Sequence, residues 1–454
     1  MKSLQVLFFF TVSLSSFAQN KEWQNLFNGK DLTGWKVLGG TATYNVENGV
    51  IVGTTVAGSP NTFLVTEKEY GDFILEAEVM VEAAEGNSGI QTRSHFDPTA
   101  SGGKGKVYGR QCELDPSHRR WTGGIYDEGR RDWLYPIDLN ATAKNAYKKD
   151  EYNHLKIECI GNEMKTWVNG IPAAHLIDTL DPIGFIGLQV HSVNKPELVG
   201  KKVFFKNIRI KTKGLRPTPF AENVYTVNLV PNQLSSAEKK SGWRLLFDGK
   251  TNSGWRSAKG KSFPEKGWEI KDGILSVLSS DGSESTNGGD IVTNEKFSAF
   301  DLSFDFNFTP GANSGVKYFV TLAEETKGSN IGLEYQILDD ALHEDAKMGR
   351  DGNRTLASLY DLMKAEKNPR FTKLASQWNK GRIIVYPNDK VEHYLNGVKV
   401  LEYIRGSKEY RDLVAISKYV IWKNFGEAAS GHILLQDHGN AVSYRNIKIK
   451  ELNW

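Results

Sequence analysis

Cysteine is almost absent from this chain: only Cys112 and Cys159 occur in 454 residues. Neither sits in a CxxC or other local metal-ligand spacing, so a zinc finger or a redox dithiol is excluded. A chain this long has core enough to fold without a bridge, and the sequence leaves pairing of the two thiols open. Charge of one sign is not in excess either, with 57 Lys+Arg against 54 Asp+Glu. No strong field therefore draws the protein to nucleic acid or to an anionic membrane. Beyond the first twenty residues no run approaches the ~20 apolar positions of a membrane span, so no membrane insertion is expected. Helical periodicity is nearly missing, its best candidate being 356–364. No GxSxG, P-loop, HExxH or EF-hand pattern is present.

What the chain does have begins with an export signal. Lys2, an apolar run from Leu4 to Leu14, and Ser16-Phe17-Ala18 before Gln19 read as a secretory signal peptide over residues 1–18. No cysteine lies near that cleavage site, which argues against a lipoprotein anchor. The expectation is a periplasmic or secreted protein.

A long internal repeat follows. The phrase from Trp23 to Trp35 (WQNLFNGKDLTGW) returns from Trp243 to Trp255 (WRLLFDGKTNSGW). Asn87-Ser-Gly-Ile90 returns as Asn313-Ser-Gly-Val316, and Val168-Asn-Gly170 as Leu395-Asn-Gly397. Leu188-Gln-Val-His191 and Lys206-Asn-Ile-Arg-Ile210 return as Leu435-Gln-Asp-His438 and Arg445-Asn-Ile-Lys-Ile449. Order is kept while the offset moves between 220 and 247 residues. That period is far too long for a solenoid, so each copy owns a core.

Both copies read as β. Phe73, Leu75, Ala77, Val79 and Val81 alternate with Glu76, Glu78 and Glu82, and the segment 302–308 alternates as cleanly. Period two is the mark of a half-buried strand. Asn169-Gly170 and Asn396-Gly397 between apolar runs read as hairpin turns. The fold class is all-β, two jelly-roll sandwiches in tandem, at 19–212 and 241–454. Residues 213–240, with Pro217, Pro219 and Pro231, form a connector.

The ordered set of repeated phrases resembles the 3-keto-disaccharide hydrolase family across both copies, roughly 22–212 and 241–454. The resemblance implies a concanavalin A-like, glucanase-type sandwich and hydrolysis of glycosides oxidised to a ketone at C3. Such a ketone acidifies the C2 proton, so a base can remove it, the C1 aglycone leaves by elimination, and water adds to the enone. The site then needs a base, a group that polarises the ketone, and donors for sugar hydroxyls.

Candidates follow from alternation. In the segment 109–115, Gln111, Glu113 and Asp115 share one face, and in the second copy Glu334 and Gln336 do. The order Gln-x-Glu has become Glu-x-Gln. The face is either a ligand-bearing groove or an ordinary exposed strand face. His191 and His438 stand two residues after Gln189 and Gln436, as base, metal ligand, donor to the ketone or strand-end polar filler. Arg93 follows the Asn-Ser-Gly turn and suits an enolate or sugar hydroxyls, whereas the second copy has Phe319 there and Lys317 nearby. The loop 118–135 mixes Arg, Trp, Tyr and acidic groups with glycine, and its Tyr126 matches Tyr360. Glu113, His191, Glu334 and His438 are thus the candidate catalytic groups. Arg93, Gln111, Asp115, Tyr126, Gln189, Lys317, Gln336, Tyr360 and Gln436 are candidate substrate contacts. No cofactor is indicated; a divalent metal stays open because scattered His and Asp side chains can converge in space.

The favoured reading is an exported hydrolase whose partner is an oxidised glycoside. A lectin using the same groove, or an ordinary glycosidase with two flanking carboxyls, are the alternatives. The Arg93/Phe319 difference and the exchanged Glu and Gln favour one specialised site over two equivalent ones.

Overall fold

The alternation in 73–81 has a direct structural outcome. In the computed structural model, which describes residues 22–103, 105–280, 285–322 and 331–453, the strand Phe73–Val81 sends Phe73, Leu75, Ala77, Val79 and Val81 into a core. Glu76 and Glu78 stand on its other face, paired with Arg209 and Lys206. Each large inward side chain contributes about 1.5–3 kcal/mol by leaving water, and each partly exposed ion pair under about 1 kcal/mol. The apolar face therefore decides which way the strand turns.

Among the described residues the first copy is a sandwich of a nine-stranded and a seven-stranded sheet, and the second one of eight and five strands. The architecture is all-β, as expected. In the seven-stranded sheet the order runs Asp132–Tyr135, Ile125–Glu128, Lys106–Leu114, Ser88–Asp97, Phe185–Val190, Thr62–Thr66, Trp35–Gly39. In the five-stranded sheet it runs Trp255–Ser257, Ile291–Thr293, His432–Leu435, Asn313–Thr321, Ile331–Leu338. Both Asn-Gly pairs are hairpin turns with positive φ at each position, 50° and 80° at Asn169-Gly170 and 50° and 84° at Asn396-Gly397.

The connector is more structured than its composition implied. Thr226–Asn228 adds a parallel strand beside Ile171–Ile177, and Ser236–Lys240 is a short helix closed by a capping box between Ser235 and Glu238. Tyr225 and Trp243 pack into the first core. The Tyr225 hydroxyl donates to Ser303 of the second copy, and Lys448 pairs with Glu238. Asn232 and Asn446 exchange backbone-to-side-chain hydrogen bonds. The connector thus ties the outer face of the eight-stranded sheet to the first sandwich. That contact explains why Asp301, Ser303 and Asp305, on the polar side of an alternating strand, are all buried.

The segment 356–364 is not a helix. Leu359 bridges to Tyr335 and to Met363, and the Tyr360 N–H donates to the Glu334 carbonyl. The sheet edge outcompetes a weak local helical pattern. Cys112 and Cys159 are free and buried, and burial pushes both thiols up. No helix among the described residues is long and apolar enough to cross a membrane. The signal-peptide segment lies outside the described residues.

Candidate active site

The smaller sheet of each sandwich turns one face to the core and the other outward. In the first copy, register sets Gly89 opposite Glu113, Gln91 opposite Gln111, and Gln111 opposite Tyr126. Alternation buries Ile90, Cys112, Ile125 and Leu188 between the sheets. It leaves Gln91, Gln111, Glu113, Tyr126, Glu128 and Gln189 on the outer face.

On that face a chain of amides ends on one carboxyl. Ser94 Oγ donates to Gln91 Oε1 (2.6 Å), Gln91 Nε2 to Gln111 Oε1 (2.9 Å), and Gln111 Nε2 to Glu113 Oε2 (3.0 Å). Asn87 Nδ2 donates to the other oxygen, Glu113 Oε1, at 2.5 Å. Glu113 is 3 % exposed. Burial raises its pKa to about 7, with the Asn87 and Gln111 donors opposing and Asp115 adding slightly to the rise. Desolvation outweighs the two hydrogen bonds and the smaller pull of Arg119. The result is a carboxyl that is about half ionised at neutral pH, the condition a general base or acid needs.

His191 lines the same small hollow as Asn87. Its Nδ1 lies 2.6 Å from the Ser192 carbonyl, an acceptor, so Nδ1 carries the proton and Nε2 keeps its lone pair. Burial lowers the ring's pKa, the Ser192 carbonyl opposes this, and Arg370 and Arg119 lower it further. The ring is therefore neutral at pH 7. Tyr126 donates to Asp132 at 2.9 Å and packs edge-on against Trp133. Gln189 Nε2 reaches Glu128 at 3.4 Å.

Two expected contacts stand elsewhere. Arg93 sits at a bulge with φ 47°, which takes its side chain off the groove face. Its guanidinium is 2 % exposed and is used up on Gly71 O (2.7 Å), Gly161 O (2.8 Å) and Asp72 (2.8 Å). Arg93 is a structural clamp and not a substrate contact. Asp115 lies just past the strand end and holds the following loop instead, accepting from Ser117 N and pairing with Arg119 at 2.7 Å.

Phe319 repeats the bulge at φ 50°. There the cation comes from the turn that follows the strand Val398–Ile404. Arg405 lies 3.8 Å over the Phe319 ring and donates to Gly426 O and Ala428 O.

The second copy gathers the corresponding groups with acid and amide exchanged. Lys317 stands opposite Glu334 and Gly315 opposite Gln336, so Glu334 holds the place of Gln111 and Gln336 that of Glu113. Lys317 holds the place of Gln91 and lies 3.8 Å from Glu334. With its nitrogen turned inward, the Gln336 amide donates to Glu334 Oε1 and to Ser314 O, both at 3.1 Å. The Asn313 amide lies 3.4 Å from His438 Nε2. Gln436 follows on the adjacent strand, its N–H bonded to Gly315 O. Tyr360 donates to Asp345 at 2.8 Å and carries Lys418 over its ring at 4.3 Å.

Sequence reasoning passed over Gln91, Asn61 and Glu128, although Glu128 shares its strand face with Tyr126. Asn61 Nδ2 donates to Glu128 at 3.1 Å. It had no means of finding Arg370 and Phe371, which the second copy brings to the rim of the first site; Phe371 packs against Trp121 at 5.1 Å. Among the described residues no three His, Cys, Asp or Glu side chains gather closely enough to hold a metal ion.

The glycine of each Asn-Ser-Gly phrase has a purpose here. A Cβ on Gly89 would sit 2.2 Å from Gln111 Cδ, and one on Gly315 would sit 2.3 Å from Glu334 Oε1. Gly89→Ala should push Gln111 away and remove one donor from Glu113. The inflection of a pH–rate profile should then move above its wild-type position; an unmoved inflection would show that Gln111 does not tune the carboxyl.

A family model for the 3-keto-alpha-glucoside-1,2-lyase-like domain matches residues 22–211 and 242–450. The chain belongs to this family. It resembles a 3-keto-disaccharide hydrolase from Bacteroides thetaiotaomicron, 36 % identical over 233 residues that cover 47 % of this chain and 79 % of that protein. A solved structure from Parabacteroides distasonis ATCC 8503, which carries a provisional glycosyl hydrolase description, is 30 % identical and covers 49 % of this chain and all of that one, with a TM-score of 0.43. A second from the same organism is 26 % identical over 46 % of this chain and 99 % of that one, with a TM-score of 0.36. The Bacteroides relative matches about half of this chain, which is a hydrolase-like enzyme with two segments in the family.

Proposed function

We propose that this enzyme acts outside the cytoplasm on glycosides already oxidised at C3, and that the first copy holds the reacting centre. The Glu113 carboxylate takes the C2 proton; the electron pair forms the C1–C2 double bond as the C1–O bond breaks. The protonated Glu113 then supplies the proton that the departing aglycone oxygen needs. Water adds to the enone to give the free 3-keto sugar. His191 Nε2 accepts from a sugar hydroxyl, and Tyr126 and Gln189 border the ring.

The observation that carries this reading is Glu113 itself, a buried carboxyl brought to about 7 by desolvation against two amide donors and the weaker pull of Arg119.

The test is release of aglycone from a nitrophenyl 3-keto-glucoside and from the parent nitrophenyl glucoside. The first should turn over, with a slowed rate when C2 carries deuterium, and the second should not. Equal turnover of both, or no isotope effect in single-turnover measurements, would overturn the reading.

A further inference from the structure

The two sandwiches leave a cleft of about 520 Å³ between them, within the size range of small-ligand sites. It is distinct from the outer face that carries Glu113. The first copy gives it Asp132 and Trp133, and the second gives Asp305, Lys373, Trp378 and Arg445 among others.

Its charges do not balance. Arg130 and Arg131 are neutralised by Asp127, Asp178 and Asp181, and Arg382 by Asp301. Lys380 and Arg445 instead share a single carboxylate, Asp305, at 2.6 and 3.4 Å. Half-buried Lys373 makes no ion pair among the described residues, and burial lowers its pKa despite the nearby Asp305 and Asp132. An ammonium taken partly out of water without a contact partner gains from an incoming anion.

The second observation is neutral. Trp133, Trp378, Tyr225 and Tyr394 supply apolar wall. A small inorganic anion would satisfy Lys373 yet leave most of 520 Å³ and the aromatic wall unused. A sugar ring offers C–H faces for the aromatics.

We propose that the interdomain cleft is a second carbohydrate site that takes a saccharide bearing a carboxylate. Lys373 and Arg445 serve as its counter-ions, and the aromatic wall packs against the C–H face of the ring. The site borders the first active face, because Asp132 accepts from Tyr126 and Trp133 packs against the Tyr126 ring. Binding there requires no turnover at Glu113, so it stands or falls separately from the proposed reaction.

The experiment is calorimetric titration of the full chain with methyl glucuronoside, methyl glucoside and acetate. The glucuronoside should bind saturably, at least ten-fold tighter than either of the others. Its affinity should fall at least ten-fold in Lys373→Met and in Trp378→Ala, and stay within two-fold in Glu113→Gln. Trp378 lines the cleft and is only half-buried, so Trp378→Ala decides the matter if Lys373→Met melts early. Equal binding of acetate would reduce the cleft to an anion hole. No saturable binding, or a loss confined to Glu113→Gln, would overturn the proposal.

Discussion

Replacing Glu113 by Gln should lower kcat on a 3-keto-glycoside by at least about 10³-fold, within the range lost when a positioned base is removed. It should at the same time make the protein more stable at pH 8. The two expectations have one cause. The folded protein holds the Glu113 pKa at about 7, above the ordinary 4.5. A raised carboxyl binds its proton more tightly in the folded state, so the stability it confers is full below about 4.5 and is lost as pH rises through 7. At pH 8 the buried carboxylate then costs the fold roughly 3 kcal/mol, from 2.5 pH units at 1.36 kcal/mol each, and Gln removes that cost. Melting temperature should exceed wild type at pH 8 and match it at pH 4.5. Wild-type activity should fall as pH drops through 7, because the base must be ionised. Glu334→Gln should leave this profile in place and change kcat by under ten-fold, since Glu334 is already paired with Lys317. A dead Glu334→Gln enzyme beside an active Glu113→Gln one would assign the chemistry to the second copy.

How far the site was legible in the sequence follows from which forces are local. Strand alternation is local, so Gln111 and Glu113 were placed on one face correctly, as were Glu334 and Gln336. The repeat gave the sandwich count because each copy must bury its own apolar faces. Arg93 was misplaced because a bulge breaks the period of two, and nothing in 88–97 announces one. Comparison of copies held a clue: Arg93 and Phe319 are both bulge residues, at φ 47° and 50°, so their difference reports on packing under the bulge. The contrast therefore does not count against the second copy. What does set the copies apart is Gln91 against Lys317, a pairing visible only once register is known. The interdomain groups, Arg370, Phe371 and Lys373, depend on how two cores dock. Docking is set by the buried polar face around Asp301 and Asp305, which as a sequence looks like any solvated strand.

Arg93→Met should be among the most destabilising single changes in the first copy while sparing the chemistry. The guanidinium closes three contacts at once, to Gly71 O, Gly161 O and Asp72. Removing it strands the Gly71 carbonyl, at about 1–3 kcal/mol where it stays dry; Gly161 is exposed, so water takes over its carbonyl. The Asp72 side chain is 52 % exposed, so water takes over that partner and little is lost there. With the lost packing of a buried side chain the sum is roughly 2–4 kcal/mol, against about a tenth of that for a surface arginine such as Arg209, which is half exposed. The measurement is a denaturant titration together with kcat/KM at a temperature where the variant stays folded. A fall of several kcal/mol with kcat/KM within about three-fold of wild type identifies Arg93 as the clamp between the Gly71 turn and the hairpin at Gly161. Unchanged stability with a hundred-fold loss of kcat/KM would return it to the substrate.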